Sequence, residues 1–184
     1  MTLTYILSSV TFLLIAYVVF RVIIKRDYKK RLRLSPLSYL LEILVFAIHA
    51  NMVYLILPAK WPDLPQIPGN LVIKLIAIIL FVTGMTVLLA AWFKLGTGPS
   101  LGLDKNRLRT NGLYKYSRNP QLVGYSLVLA SFTVLYFSYL VLSWLLLFMI
   151  VSYFMIKSEE EFLEQNYKDD YREYCKQVPR IFKI

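Results

Sequence analysis

The sequence has little of the residue types on which many active sites and small folds depend. It holds one cysteine (Cys175) and one histidine (His49) in 184 residues. A single cysteine excludes an internal disulfide framework and a cysteine-rich zinc site, and a single histidine leaves few ligands for other metals. Charged residues make up only 17% of the chain, whereas ordinary soluble domains carry about 25%. Together with 58% hydrophobic residues, this composition excludes a soluble globular enzyme and a disordered chain.

The sequence contains four long apolar runs. A bilayer core about 30 Å thick is crossed by a helix of about 20 apolar residues. Three runs have this length, and a fourth is too long for one crossing: Leu3–Ile24, Leu37–Leu57, Leu71–Phe93 and Gln121–Ile156. We predict that the fourth run forms a helical hairpin with its turn near Phe137-Ser138-Tyr139. The sequence therefore predicts an all-α integral membrane protein with five transmembrane helices.

Basic residues gather on one side of this predicted topology. Residues 21–33 hold seven lysines and arginines, residues 94–120 hold six, and the loop Pro58–Asn70 holds only Lys60. Positive loops stay in the cytoplasm, so we expect the N-terminus outside and both basic loops inside. The tail Lys157–Ile184 is then cytoplasmic as well. The net charge of +10 is thus explained by topology and by attraction to anionic lipid rather than by nucleic acid.

We divide the chain into two parts of one integrated membrane domain. Residues 1–93 contain the first three spans, and residues 94–184 contain a loop, the hairpin and a C-terminal helix. Apolar residues in the tail recur at helical spacing, which predicts an amphipathic cytoplasmic helix: Leu163, Tyr167, Tyr171, Tyr174 and Val178.

The segment before the hairpin has the signals of a binding loop. Five of the seven glycines lie between residues 96 and 124, although no phosphate-loop or dinucleotide pattern is present. Asn111-Gly112 predicts a turn, and Asn119-Pro120 predicts the start of the next helix. A helix N-terminus beside Arg118 suits a carboxylate or phosphate. The alternative is an arginine at the lipid headgroups beside an ordinary helix start.

Acidic residues occur at two unusual places. Glu159-Glu160-Glu161 follow the last apolar run, where carboxylates oppose the helix dipole unless cations or hydrogen-bond donors compensate them. The alternative is the start of a solvated tail helix. Glu42 and His49 are seven residues apart and so share one face of the second span. We interpret them as structural rather than catalytic, with Glu42 paired to a residue of the basic loop.

Two segments resemble motifs of the isoprenylcysteine carboxyl methyltransferase and phospholipid methyltransferase superfamily. The first is Thr110-x-Gly112-x-Tyr114-x-x-x-Arg118-Asn119-Pro120-x-x-x-Gly124. The second is Glu159-Glu160-x-x-Leu163-x-x-x-Tyr167-x-x-x-Tyr171-x-x-Tyr174-x-x-x-Val178-Pro179-Arg180. The resemblance covers roughly Leu95–Arg180, and the two motifs in this order are jointly specific.

The resemblance implies an S-adenosylmethionine site on the cytoplasmic side of the membrane. The residues that it assigns to the cofactor are Asn106, Arg107, Leu108, Arg109, Gly112, Tyr114, Asn119, Pro120, Gln121, Leu122 and Glu159. The residues to which we assign catalytic roles are Glu160, Lys157 and Arg118. In this interpretation Glu160 also supports the cofactor contacts, and it or a neighbouring carboxylate receives a proton from the acceptor.

The methyl acceptor is expected to be lipophilic and to enter from the bilayer. Met155 stands where carboxyl-methylating relatives have an arginine, and Lys157 is the nearest cation. We therefore favour a small lipid over a prenylated protein C-terminus. Two other functions stay open: an NADPH-dependent enzyme similar to sterol reductases, weakened by Asn119 in place of a histidine, and a non-catalytic membrane adaptor.

Overall fold

Helices make up most of the chain that the structure describes. The computed structural model describes residues 2–60, 63, 65–95, 108 and 110–181. Its α-helices are α1 (Thr2–Tyr17), α2 (Lys25–Arg31), α3 (Pro36–Met52), α4 (Leu71–Leu95), α5 (Pro120–Leu135) and α6 (Tyr139–Gln177). A π-helical segment, Val18–Ile24, joins α1 to α2, and two 3-10 turns occur at Val53–Leu55 and Gly112–Lys115. No strand occurs in these ranges, which agrees with the predicted all-α class.

Four helices in the described ranges are long and apolar enough to cross a membrane. They are Leu3–Arg31, Pro36–Leu55, Leu71–Phe93 and Tyr139–Gln177. Their starts lie close to the predicted ones, but the first helix continues seven residues past the predicted end at Ile24. The length of an apolar run indicates where the chain leaves the bilayer. The end of a helix depends instead on the local backbone conformation. Here the helix is followed by Leu32, which has a left-handed φ of 55°.

A buried carboxylate fixes the turn between α2 and α3. Asp27 is only 4% exposed, and it accepts hydrogen bonds from the Ser35 backbone N–H at 3.0 Å and the Ser38 hydroxyl at 2.6 Å. Ser35 in turn caps α3, and Pro36 occupies the first turn, where no N–H is needed. The first two long helices are therefore joined by a defined polar turn.

The predicted break in the fourth apolar run is present. α5 ends at Leu135 and α6 begins at Tyr139. The Ser138 side chain caps α6 by accepting a hydrogen bond from the Val141 N–H at 3.2 Å. The start of α6 is therefore marked by a serine cap, and not by a glycine or proline. α5 has 16 residues, so its length is about 24 Å.

The last span and the predicted tail helix follow each other directly and meet at a backbone break at Lys168. No glycine or proline lies between Ile156 and Gln177, and α6 continues through this region with one non-helical residue, Lys168, at φ 46°. Beyond this break the predicted apolar positions do pack together. The cluster, called here the tail cluster, consists of Tyr171, Tyr174 and Val178 with Leu108, Leu163, Tyr167 and Cys175 around them.

α4 and α5 make the closest helix contact in the described chain. They run antiparallel, since Gly84 faces Gly124 and Val128 while Leu88 faces Gly124. A Cβ built on Gly124 would lie 2.5 Å from the Leu88 backbone nitrogen, and one on Gly84 would lie 2.7 Å from the Gly124 carbonyl oxygen. Small residues allow helix backbones to approach closely in a bilayer, where dispersion contacts drive helix association.

Substituting Gly124→Ala is expected to destabilise the protein by about 1–3 kcal/mol, because the added methyl group must separate α4 from α5. Thermal unfolding in detergent micelles, followed by circular dichroism, measures the loss. Gly69→Ala is the matched control, since a Cβ there meets nothing within 4 Å. A Gly124→Ala protein as stable as the control would contradict this packing.

Candidate functional site

Glu160 is held between two arginines from different parts of the chain. Its carboxylate lies 3.0 Å from Nη1 of Arg118 and accepts two hydrogen bonds from Arg180, at 2.9 Å and 2.7 Å. These hydrogen bonds raise the pKa of the Arg180 guanidinium above its ordinary value. The Glu160 and Arg118 side chains are only 19% and 15% exposed, so this pair is screened less than a surface ion pair, whereas Arg180 is 47% exposed. The cations that the acidic run requires are thus supplied by the first motif and the end of the tail.

Arg118 is also bound by the tail cluster. Its Nη1 donates to the Tyr171 hydroxyl at 3.1 Å and to the Cys175 sulfur at 2.8 Å, and its guanidinium lies over the Tyr171 ring. The side chain is therefore engaged with α6 rather than turned toward the first turn of α5. The geometry makes Arg118 a connector between the two motifs.

Backbone contacts continue this junction on the other side of Arg118. The Arg118 N–H donates to the Pro179 carbonyl at 3.0 Å, and the Asn119 side-chain amide donates to the Arg180 carbonyl at 2.9 Å. The Tyr174 hydroxyl donates to the Tyr114 carbonyl at 2.7 Å. The two motifs are therefore adjacent in space, although an entire hairpin separates them along the chain.

The other predicted cofactor residues lie around this junction where they are described. Gly112 adopts a φ of 67°, as the predicted turn requires. Pro120 begins α5, so Gln121 and Leu122 place their backbone N–H groups in a first turn that has no internal acceptors. Leu108 packs on the tail cluster. The predicted residues Asn106, Arg107 and Arg109 lie outside the described residues.

The Glu161 carboxylate is paired with basic residues of the first long helix, a contact that the sequence did not predict. Arg21 donates to Glu161 at 2.8 Å, and Lys25 pairs with the same carboxylate at 2.6 Å. Arg21 also donates to Ser158 at 2.8 Å, and Ser158 donates to the Phe20 carbonyl at 2.8 Å within the π-helical segment. The sequence does carry a signal for this contact. Basic residues follow the first apolar run and acidic residues follow the last one, and the predicted topology places both on the same side of the membrane.

Glu159 faces a different part of the molecule from Glu160 and Glu161. Its carboxylate lies within electrostatic range of Glu42 on α3 and of the Tyr28 phenol on α2. Among the residues that the structure describes, no ion pair or hydrogen bond compensates it. Lys157 stands apart from this group, because its side chain is exposed and its ammonium lies 5.9 Å from the centre of the Tyr153 ring.

His49 packs against Trp144 and does not pair with Glu42. Its Nε2 lies 3.0 Å from the Trp144 carbonyl oxygen, and the Trp144 indole N–H donates to the His49 carbonyl at 2.7 Å. The two rings stack with centroids 5.2 Å apart. This reciprocal pair joins α3 to α6. The predicted pairing of Glu42 with a basic-loop residue is not seen in the described ranges.

Comparison with known proteins gives one match. A family model described as phospholipid methyltransferase matches residues 72–170. This is more than half of the chain, and it includes the first motif and the Glu159-Glu160 pair. Neither the curated proteins nor the solved structures contain a match.

Proposed function

The chain belongs to the phospholipid methyltransferase family, and we propose that it transfers a methyl group from S-adenosylmethionine to a small lipid. Family membership indicates a membrane methyltransferase. The observation that supports the cofactor assignment is the junction of the two motifs. Of the two glutamates in the second motif, Glu160 is paired with arginines, whereas Glu159 has no partner among the described residues, and the first motif ends in the first turn of α5.

The residues at the junction fit the chemical groups of S-adenosylmethionine. Its carboxylate suits the first-turn N–H groups of Gln121 and Leu122. Its ammonium suits Glu159, which has no cation partner in the described chain. Tyr114 and Leu108 offer aromatic and apolar surface for the adenine. When bound, S-adenosylmethionine supplies an electrophilic methyl group on a positively charged sulfur.

In this proposal Glu160 and Arg118 position the site and do not touch the reacting atoms. Both oxygens of Glu160 already accept hydrogen bonds from arginines, so this carboxylate is poorly placed to take a proton. Its ion pair instead fixes α6, and with it Glu159, against the start of α5. A methyl transfer needs this kind of alignment more than it needs covalent catalysis.

A small lipid fits the site better than a prenylated protein C-terminus. Met155 packs against the main apolar core at the position where a carboxylate-binding arginine would be required. Lys157 could supply that cation only by leaving its exposed position over Tyr153. An amine-bearing headgroup needs no cation there, and it reaches the site from the headgroup region of the bilayer.

We further propose that α5 is a fifth membrane span and that the site faces the cytoplasm. α5 packs antiparallel to α4, which makes a return across the membrane the simplest path. Its length of about 24 Å requires slight thinning of the bilayer. The basic residues that compensate Glu160 and Glu161 lie on the same side, as the positive-inside rule expects.

Cysteine labelling tests this orientation. In a Cys175→Ala background, an impermeant maleimide should label a cysteine at Gln66 in intact cells. Cysteines at Lys30 and Glu173 should be labelled only after permeabilisation. All three side chains are exposed, so accessibility reports the side of the membrane. A cysteine at Glu173 that is labelled from outside would contradict a cytoplasmic site.

Glu159→Gln is expected to weaken S-adenosylmethionine binding about 10–100-fold, because a charge-assisted contact of about 1.5–3 kcal/mol is lost. Tyr114→Ala should also weaken it. Isothermal titration calorimetry of detergent-purified protein provides the measurement. Glu173→Gln is the control, since Glu173 is exposed on the same helix and pairs only with its neighbours. Unchanged affinity in both site variants would exclude this cofactor position.

Membranes that contain the protein should transfer label from methyl-labelled S-adenosylmethionine into the lipid extract. The label should resist mild base, because an N-methyl bond is stable whereas a methyl ester releases methanol. Membranes with the Glu159→Gln variant are the control and should incorporate far less label. Base-labile label on a polypeptide would contradict the lipid acceptor and support a carboxyl methyltransferase in which Lys157 orients the carboxylate.

A further inference from the structure

Glu42 lies on the inward face of α3. The residues one or two turns away on the same face are buried: Ser38 and His49 are 0% exposed and Val45 is 2% exposed. Glu42 is six residues from the start of α3 at Pro36, or about 9 Å along the helix axis. A carboxylate at this depth among apolar helices is costly unless a partner compensates it.

α2 connects α3 and α6 at the level of Glu42 and Glu159. Asp27 accepts the hydrogen bond of Ser38, which is one helical turn before Glu42. Tyr28, the next residue, stacks on Phe162 with ring centroids 4.3 Å apart and an interplanar angle of 14°, one turn after Glu159. The two carboxylates therefore approach the same space from two helices, with Tyr28 beside both.

The polar groups in this space have no partners among the described residues. Tyr28 is only 9% exposed, yet its hydroxyl makes no hydrogen bond within the described ranges. Four cations on this side of the molecule are already paired: Arg21 and Lys25 bind Glu161, and Arg118 and Arg180 bind Glu160. Two carboxylates and a phenol hydroxyl thus lie near one another, and the described chain supplies no cation to them.

We propose that Glu42 binds the ammonium of the acceptor headgroup beside Glu159 and takes up its proton. This inference rests on the proposed function and names the residue that serves the acceptor. The N–H bond breaks and its proton moves to the Glu42 carboxylate, which leaves a lone pair on nitrogen. That pair forms the new N–C bond to the methyl group as the S–C bond breaks and its electrons stay on sulfur. The proton on Glu42 then passes to water.

The test measures two affinities separately in detergent-purified protein. Without any methyl donor, a short-chain phosphatidylethanolamine is titrated and compared with the phosphatidylglycerol of the same chains, which lacks the amine. S-adenosylmethionine is titrated in a second experiment. Glu42→Gln should weaken phosphatidylethanolamine binding about 10–100-fold and leave phosphatidylglycerol and S-adenosylmethionine binding within about twofold of the wild type.

Two further variants keep the test decisive if Glu42→Gln folds poorly. Tyr28→Phe keeps the stacked ring and removes only the hydroxyl, so it should weaken phosphatidylethanolamine binding about 3–10-fold. Glu173→Gln, on the exposed tail, should change neither affinity. Both affinities are measured in Glu42→Gln and in Glu159→Gln. We expect Glu42→Gln to weaken binding of the amine lipid and Glu159→Gln to weaken mainly the binding of S-adenosylmethionine.

Three results would overturn the role of Glu42. They are unchanged phosphatidylethanolamine affinity in Glu42→Gln, equal loss of both affinities in that variant, and no preference of the wild type for the amine lipid. Failure of the proposed function has a different signature, because the wild-type protein would then bind no S-adenosylmethionine whatever its affinity for the lipid.

Discussion

The position of Glu160 between Arg118 and Arg180 is the interaction on which the rest of the site depends. One guanidinium comes from the loop before α5 and the other from the end of the chain, so the carboxylate joins three segments that are distant in sequence. The Arg118 and Glu160 side chains are only 15% and 19% exposed, and removing one partner from so poorly exposed a pair costs more than the intact pair contributes. The same contacts hold α6 against the start of α5.

Three of the five carboxylates discussed at this end of the molecule are neutralised by the protein itself. Asp27 has hydroxyl and N–H donors, Glu160 has two arginines, and Glu161 has Arg21 and Lys25. Glu159, with Glu42 beside it, has none in the described chain. Because the protein supplies partners to Asp27, Glu160 and Glu161, the proposed function places its cationic ligands at the uncompensated pair. S-adenosylmethionine and an amine headgroup are both cations, and their mutual repulsion in one small space is reduced when each has its own carboxylate.

The sequence predicted those parts of the structure that depend on local signals. Apolar length located the long helices, Asn119-Pro120 located the start of α5, and the five-residue pattern identified the tail cluster. It did not predict the end of the first helix, since Arg31 lies beyond any apolar signal, or the position of the backbone break at Lys168. It also did not identify the partners of Arg118 or the closeness of Glu42 to Glu159. Those depend on how helices that are far apart in sequence pack together, and a single sequence contains no direct record of such contacts. The close approach of Gly84 and Gly124 was missed for the same reason.

The arrangement also accounts for building such an enzyme within the membrane. In the proposed function, a lipid amine that stays in the bilayer reaches Glu42 on α3 and Glu159 on α6 from the side, while the water-soluble methyl donor arrives from the aqueous side. The two substrates then meet where water is scarce, and there a carboxylate interacts more strongly with a cation than it does in bulk solvent. The amine must also lose a proton before its lone pair can attack. Because Glu160 and Glu161 are occupied by arginine and lysine, Glu42 is the carboxylate whose position and lack of a described partner suit that role.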